Sequence, residues 1–162
     1  MTLRQDALYA SYQRLERPLY NVIYRQLWQA EDCQDVIHDA YVRVWEKRNK
    51  VVEVTLDALV WTTALNLARN RLRWRKLRRH EPLDDTLSAA AVTEDFLATR
   101  RLYQALRQLP SVSREVLLLA EFSGLRGAEI ANVLGIPAGT VASRKHHAMA
   151  RLKILLGDNL HA

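Results

Sequence analysis

Apolar residues recur along most of this chain at the three- and four-residue spacing that places them on one face of an α-helix. The clearest stripe lies within residues 32–48, where apolar side chains occupy positions i, i+3, i+4, i+7, i+8, i+11 and i+12 from Cys33 to Trp45. Weaker stripes cover residues 5–29 and about 56–79, and shorter ones follow toward the C-terminus. The pattern therefore predicts an all-α protein.

Proline, glycine and serine mark where these helices should end or begin. Pro18 lies inside the first stripe and is predicted to break or kink that helix, because its ring removes a backbone donor. Pro110 ends a later helix, and Ser111 or Ser113 is then expected to cap the start of the next one. Gly124 ends that helix in turn. The second part of the chain is thus expected to consist of several short helices.

The composition is that of a globular protein and excludes several classes. Hydrophobic residues make up 49% of the chain and charged residues 26%, whereas five glycines and four prolines are few for an all-β protein. The sequence contains neither a bilayer-crossing apolar run nor a secretion signal, so we expect a soluble cytoplasmic protein. The single cysteine, Cys33, rules out an intramolecular disulfide, and its place on an apolar stripe predicts burial.

The charge is positive overall and unevenly distributed. Lys and Arg number 24 against 18 Asp and Glu, and the net charge of +6 favours a polyanionic partner. Residues 66–79 contain seven basic side chains and no acidic one. Residues 81–95 contain five acidic side chains and no basic one, which predicts a linker, although a short acidic helix cap is the alternative. We therefore expect two small helical domains, residues 1–80 and 96–162, joined by this acidic linker.

Residues 128–152 carry the spacing of a DNA-reading helix-turn-helix. Ala131 is small enough for two helices to cross closely, Gly135 can adopt the left-handed conformation of the turn, and Val141 anchors the second helix. In such motifs, side chains near the start of the second helix reach base edges in the major groove. An αα-hairpin with a solvated basic face is the alternative. The residues predicted to contact duplex DNA are Thr140, Ser143, Arg144, Lys145, His146, His147 and Arg151.

A second candidate nucleic-acid element is the basic helix that ends near residue 79. Its cations would attract phosphate groups, and aromatic faces on the same helix would hold unstacked bases. Asn66 and Asn70 lie one helical turn apart, where they can read a base edge. The alternative is a solvated charged face with Trp61 in the core. The residues predicted to bind opened DNA are Trp61, Asn66, Arg69, Asn70, Arg71 and Arg73.

Three blocks of this sequence resemble the extracytoplasmic-function (ECF) group of sigma-70-type transcription initiation factors. Residues 32–45, DCQDVIHDAYVRVW, resemble the polymerase-binding helix of that family, and residues 56–73, LDALVWTTALNLARNRLR, resemble its −10-reading helix. Residues 109–153 resemble its −35-reading domain, and the three blocks stand in the family's order. The resemblance implies a sigma2-like helical bundle and a sigma4-like helix-turn-helix domain on either side of the linker.

The same resemblance implies the partners of the protein. The first domain would dock on the clamp helices of the largest subunit of core RNA polymerase, and the second on the flap of the second subunit. Promoter DNA would be read at −10 as a melted strand and at −35 as a duplex, and an anti-sigma factor would hold the protein inactive. The acidic linker would pass near the RNA exit path. The residues implied for polymerase binding are Asp35, His38, Asp39 and Arg43.

Other functional classes stay open at this point. The chain could be a two-domain helix-turn-helix regulator that binds duplex DNA without being a polymerase subunit, or an adaptor that binds a partner protein. An enzyme has little support, because neither a glycine-rich phosphate loop nor a catalytic spacing occurs, and we expect no cofactor and no small-molecule substrate. No metal site is expected at His146 and His147, since adjacent side chains on a helix point about 100° apart.

Overall fold

The computed structural model describes residues 2–78 and 94–160, with side chains as far as residue 157, and in these ranges the ordered elements are helices. Two turns of 3-10 helix, Arg48–Lys50 and Glu53–Thr55, lie between the helix that ends at Glu46 and the helix that begins at Leu56. The expected all-α class is therefore confirmed. The α-helices are α1 (Gln5–Leu27), α2 (Ala30–Glu46), α3 (Leu56–Arg78), α4 (Glu94–Arg107), α5 (Ser111–Phe122), α6 (Gly127–Leu134) and α7 (Ala138–Leu160).

The first half of the protein, residues 2–78, is a bundle in which α1, α2 and α3 contact one another in pairs. The apolar stripe of α2 is enclosed by this packing, and Cys33, Val36 and Val44 have almost no exposed surface. Burying such a stripe removes apolar area from water, at roughly 25 cal/mol for each Å². The bundle therefore leaves the opposite, polar face of α2 on the outside.

The helix α1 continues through Pro18, so, of the break or kink predicted there, the break does not occur. Leu19, Val22 and Ile23 follow the proline on the buried face of α1 and have no exposed surface. Their packing against α2 and α3 outweighs the single backbone hydrogen bond that the proline removes. Tertiary contact here overrides a local helix-breaking signal.

The second half, residues 94–160, packs around α7, which contacts α4, α5 and α6. Val141 and Ala148 of α7 are buried together with Ile130 of α6 and Val116 and Leu118 of α5. The buried side chains of both halves belong to one continuous cluster. The two halves thus pack against each other in this structure.

The start of α5 differs from the predicted serine cap. The helix begins at Ser111, directly after Pro110, and no side chain caps its first amides, so the prediction of a cap from either serine is wrong. The guanidinium of Arg114 instead donates to the carbonyl oxygens of Leu106 and Leu109, at 2.8 and 2.9 Å. These bonds hold the end of α4 against the first turn of α5, because they satisfy carbonyls that have no partner within α4.

The predicted acidic linker falls mostly outside the described residues, which omit residues 81–93. Its last two residues, Glu94 and Asp95, form the first turn of α4. Acidic side chains are favourable there, because the N-terminus of a helix carries a partial positive charge. The helical part of the second half therefore begins at residue 94 rather than at the predicted residue 96.

Cys33 is buried, as its place on the stripe predicts, and burial raises the pKa of its thiol from 9.0 to about 12. We expect Cys33 in the folded protein to react with iodoacetamide at pH 9 at least roughly a hundredfold more slowly than in the unfolded chain, because the thiolate is the nucleophile. The rate of carboxamidomethylation, followed by mass spectrometry with and without guanidinium chloride, measures this. Equal rates in the two states would contradict a buried, structural cysteine.

Candidate nucleic-acid interface

The helix-turn-helix of the second half is formed by α6, a short turn and α7. Gly135 ends α6 with a φ of +68°, in the left-handed region that glycine adopts without strain, and its amide donates to the carbonyl oxygen of Ala131. Ile130 and Val141 are buried between the two helices. The small residue, the turn glycine and the apolar anchor thus have the positions that their spacing predicts.

The side chains predicted to contact duplex DNA lie on the outer face of α7. The helix begins at Ala138, so Thr140 lies inside its first turn and its amide donates to the carbonyl oxygen of Pro137 at 3.0 Å. Arg144 is half-buried and lines a cavity of about 250 Å³ that also contains Glu115 and Arg69. The exposed members of the set are Ser143, Lys145, His146, His147 and Arg151.

The two asparagines of α3 are exposed and lie on one surface groove. Asn66 and Asn70 line a cavity of about 550 Å³ together with Asp39 and Arg43 of α2. The structure thus brings residues predicted for opened DNA beside residues implied for polymerase binding. Arg73, one turn further along α3, is also exposed.

Trp61 does not belong to this surface, which corrects its prediction as a base-stacking residue. Its side chain is 1% exposed and lies in the core of the first half, so it offers no face to a base. The aromatic side chain that α3 does expose is Trp74, at 55%, with the guanidinium of Arg78 at 4.3 Å from its ring centroid. A stacked arginine of this kind is a cation–π contact.

Arg69 is held by Glu115 of α5 in a two-pronged ion pair. Arg69 Nε donates to Glu115 Oε2 at 2.8 Å, and Nη2 donates to Oε1. Glu115 is almost completely buried, and its hydrogen bond to Arg69 raises the pKa of the guanidinium. Arg69 Nη1 also donates to Asn66 Oδ1 at 2.6 Å. Arg69, which is predicted to bind opened DNA, is therefore bonded both to Asn66 of the same set and to the second half.

Arg71 faces α2, where it pairs with carboxylates. Its Nη1 lies 2.9 Å from Asp32 Oδ1, and its Nη2 lies 3.9 Å from Asp35 Oδ2. Arg75, one turn further along, is buried against Asp32 and donates to the Gln29 side chain at 2.9 Å. These ion pairs fasten α3 to α2. Sequence reasoning missed them, although the four-residue spacing of the two arginines is a signal that they share a face.

Further contacts join the halves around Arg69 and Glu115. The hydroxyl of Thr62 on α3 donates to the carbonyl oxygen of Val133 on α6 at 3.2 Å. The guanidinium of Arg25 on α1 lies 4.1 Å from the ring centroid of Phe122 on α5. Together with the ion pair, these contacts hold the first half against the second half, and we call this packing the closed arrangement.

The side chains implied for polymerase binding project from α2 away from its buried stripe. Asp35, His38, Asp39 and Arg43 are all exposed. Apart from the 3.9 Å approach of Arg71 to Asp35, no ion pair among the described residues engages them. They form a continuous polar face because residues three and four apart in sequence are neighbours on a helix.

Comparison with known proteins finds relatives that match most of the chain. The family model described as "Sigma-70, region 4" matches residues 99–152, from α4 into α7. The ECF RNA polymerase sigma factor SigM of Mycobacterium tuberculosis is 27% identical over 90% of this chain and 75% of its own length. The RNA polymerase sigma-E factor of Streptomyces avermitilis is 30% identical over 93% of this chain and 79% of its own. This chain belongs to the ECF group of sigma-70 family sigma factors.

Solved structures agree with this sigma factor in fold. CnrH, in complex with the cytosolic domain of CnrY, superposes with a TM-score of 0.76 at 25% identity, covering 96% of this chain and 90% of CnrH. The sigma factor RpoE of Bartonella quintana, in complex with the anti-sigma factor NepR, gives a TM-score of 0.69 at 21% identity, covering 92% of this chain and 96% of RpoE. The second likeness supports the fold alone.

The described part of this sigma factor contains no group of three or more His, Cys, Asp or Glu side chains that could hold a metal ion. Among its helices in those ranges, none combines the length and apolar character needed to span a membrane. Its relatives are transcription factors rather than enzymes.

Proposed function

We propose that this sigma factor binds core RNA polymerase in the cytoplasm and directs initiation at specific promoters. The observation that carries the proposal is the match to sigma-70 region 4 on a helix-turn-helix whose outer face is polar and basic. An exposed recognition helix of this kind enters the major groove, where side chains near its start reach the bases. In this proposal α7 reads the −35 element as intact duplex, through the residues from Thr140 to Arg151 named above.

We propose that α3 reads the −10 element as a melted strand. Asn66 and Asn70 are exposed one helical turn apart, and an asparagine side chain can both donate to and accept from a base edge. Arg69, Arg71 and Arg73 are the proposed contacts to the sugar-phosphate backbone. Of these, Arg73 is exposed, whereas Arg71 would first have to leave Asp32. In the closed arrangement Arg69 is held by Glu115, so the halves must separate before Arg69 can bind the strand.

The polar face of α2 is the proposed contact with the clamp helices of the largest polymerase subunit. Its residues Asp35, His38, Asp39 and Arg43 are exposed and mostly unpaired, so docking does not first have to break strong internal interactions. The second half would contact the flap of the second subunit. Residues 1–80 and 96–162 would then act as two separable domains, with the acidic residues 81–95 between them near the RNA exit path.

An anti-sigma factor is a further proposed partner. RpoE of Bartonella quintana, which shares this fold, was solved with the anti-sigma factor NepR. CnrH was solved with the cytosolic domain of CnrY. A protein that binds the closed arrangement would keep Arg69 paired with Glu115 and would keep the −10 residues away from promoter DNA.

Transcription with purified core polymerase on a library of promoters tests the proposed function directly. We expect the complete chain to programme initiation at start sites with a defined −10 and −35 sequence. The alternative is a helix-turn-helix regulator that is not a polymerase subunit. Such a regulator would bind a palindromic duplex as a dimer, would not co-purify with core polymerase, and would programme no initiation.

The recognition helix gives a prediction for −35 reading. Replacing Arg144 and Lys145 by alanine should lower promoter-dependent transcription by roughly thirtyfold or more, because each of the two base contacts is worth about 1–3 kcal/mol. Binding to core polymerase should stay unchanged. Run-off transcription and a polymerase pull-down on the same preparation measure the two effects.

The matched control removes two positive charges elsewhere, from the exposed Arg100 on α4 and Lys153 near the end of α7. The Arg100→Ala and Lys153→Ala double variant should keep most of its transcription. If both double variants lose transcription equally, the loss is caused by the lower total charge of the protein and not by lost −35 contacts. If polymerase binding falls along with transcription, Arg144 and Lys145 do not act through DNA.

A further inference from the structure

A cavity of about 720 Å³ lies between the two halves of the closed arrangement, with α1 and α3 on one side and α4 and α5 on the other. Small-molecule sites in proteins have volumes of roughly 300–1,000 Å³. Of the described side chains that line it, seven are arginine or lysine and none is aspartate or glutamate. Its size and charge are therefore those of a site for a small anion.

The positive charge of this cavity is only partly balanced by carboxylates of the described residues. Arg69 and Arg75 are neutralised by Glu115 and Asp32. Within the described residues, Arg25, Arg73, Lys76 and Arg114 make no ion pair with a carboxylate. Arg25 and Arg114 are half-buried, whereas Arg73 and Lys76 are exposed.

The backbone adds to this positive character on the α5 side. Ser111, the first residue of α5, lines the cavity. The first turn of α5 contains no acidic residue, and no side chain caps its amides. Free amides and the helix dipole make such a terminus a phosphate-binding group. Burial lowers the pKa of the neighbouring Arg114, and the charge of Arg107 lowers it further, as expected where positive charge is in excess.

A buried, unpartnered oxygen points to a second part of the ligand. Gln26 is 5% exposed and lines both this cavity and the adjoining one of about 250 Å³. Its Oε1 is buried and accepts no hydrogen bond from the described residues. A buried acceptor is normally satisfied by a donor. A fully ionised phosphate has no proton to donate, so the ligand needs an N–H or O–H group beside its phosphate.

We propose that this cavity binds a nucleotide. Its phosphates lie against Arg73, Arg114 and the first amides of α5, and a ribose hydroxyl or a base amino group donates to Gln26 Oε1. Because the walls come from both halves, the bound nucleotide stabilises the closed arrangement, in which Arg69 is paired with Glu115. The binding itself is independent of the proposed function, whereas any effect on promoter reading depends on it.

Calorimetric titration of the complete chain, without polymerase or DNA, tests the site, with adenosine triphosphate as the probe. Adenosine triphosphate should bind about tenfold more tightly than pyrophosphate, which lacks the donor for Gln26, and adenosine alone should bind far more weakly.

Ser111→Asp should weaken the binding of adenosine triphosphate by about tenfold or more, because the new carboxylate occupies the helix terminus. The helix should still form, since an acidic residue in its first turn is favourable. Gln26→Leu should weaken the binding of adenosine triphosphate but not that of pyrophosphate.

The matched control is Ser113→Asp, which adds the same charge in the same turn on a side chain that does not line the cavity. It should keep most of the affinity. If Ser111→Asp and Ser113→Asp lose affinity equally, the binding is a nonspecific attraction of the anion to a basic protein. That result would overturn the proposed site. If pyrophosphate and adenosine triphosphate bind with equal affinity, and if Gln26→Leu changes neither affinity, the nucleotide assignment is overturned. The partner of Gln26 Oε1 would then be a water molecule. No binding of any probe would overturn the proposal outright.

Discussion

Reversing the charges of Asp35 and Asp39 together, by Asp35→Arg with Asp39→Arg, is expected to abolish binding to core RNA polymerase. Both carboxylates are exposed on the polar face of α2, so arginine fits at either position without disturbing the core. Like charges brought together at an interface cost several kcal/mol, which corresponds to a loss of affinity of roughly a hundredfold or more. Fluorescence anisotropy with labelled sigma factor and purified core polymerase measures that loss.

The control for this variant is Glu53→Arg with Glu121→Arg, which changes the net charge equally on exposed residues away from the polar face of α2. It should bind polymerase with close to the original affinity. Circular dichroism should show unchanged helicity in both variants. An unaltered affinity in the Asp35→Arg and Asp39→Arg protein would refute the proposed docking face.

Glu115→Gln is expected to open the closed arrangement and to increase binding of single-stranded −10 DNA by about tenfold. The substitution keeps the shape of the side chain but leaves Arg69 in the closed arrangement without its counter-charge. Breaking a buried ion pair on one side costs about 3–5 kcal/mol. Because the Arg69 side chain is 41% exposed, solvent screening reduces this to roughly 1–2 kcal/mol. In the open protein Arg69 is hydrated and free to bind the strand.

Two measurements on the same protein separate opening from other effects of this variant. The radius of gyration from small-angle scattering reports separation of the halves, and anisotropy of a labelled −10 oligonucleotide reports binding. Glu121→Gln, an exposed position on the same helix, is the matched control and should change neither. If Glu115→Gln expands the protein without improving strand binding, Arg69 is not a −10 residue. If neither quantity changes, the ion pair does not hold the halves together.

The parts of this protein that sequence reasoning predicted correctly are those with local patterns. The stripe on α2 repeats within a single helix, so its burial follows from helical geometry alone. The helix-turn-helix depends on Ala131, Gly135 and Val141, which lie within eleven positions of one another. At Gly135 the backbone must adopt a positive φ, and glycine marks such a turn in any context.

Two expectations that the structure corrects, a stacking Trp61 and a helix broken at Pro18, share a different cause. Trp61 lies on a basic helix, where composition suggested a stacking surface, but its own face of α3 turns toward the core. Pro18 is compatible with a continuous α1 because the buried side chains that follow it stabilise the helix. Each outcome depends on which side of a helix faces a neighbour, and the order of residues along one helix does not contain that information.

The sequence by itself determined the helical class, the family and the sets of polar residues that carry the proposed function, because periodicity and motif spacing act over a few turns of chain. Only the tertiary structure decided which partners those residues have in the closed arrangement. Arg69 and Glu115 are separated by 46 residues and meet because the two halves pack together. The basic cavity and the buried Gln26 oxygen arise from the same packing. Pairing and burial of this kind depend on contacts between distant segments, which are set by the fold as a whole.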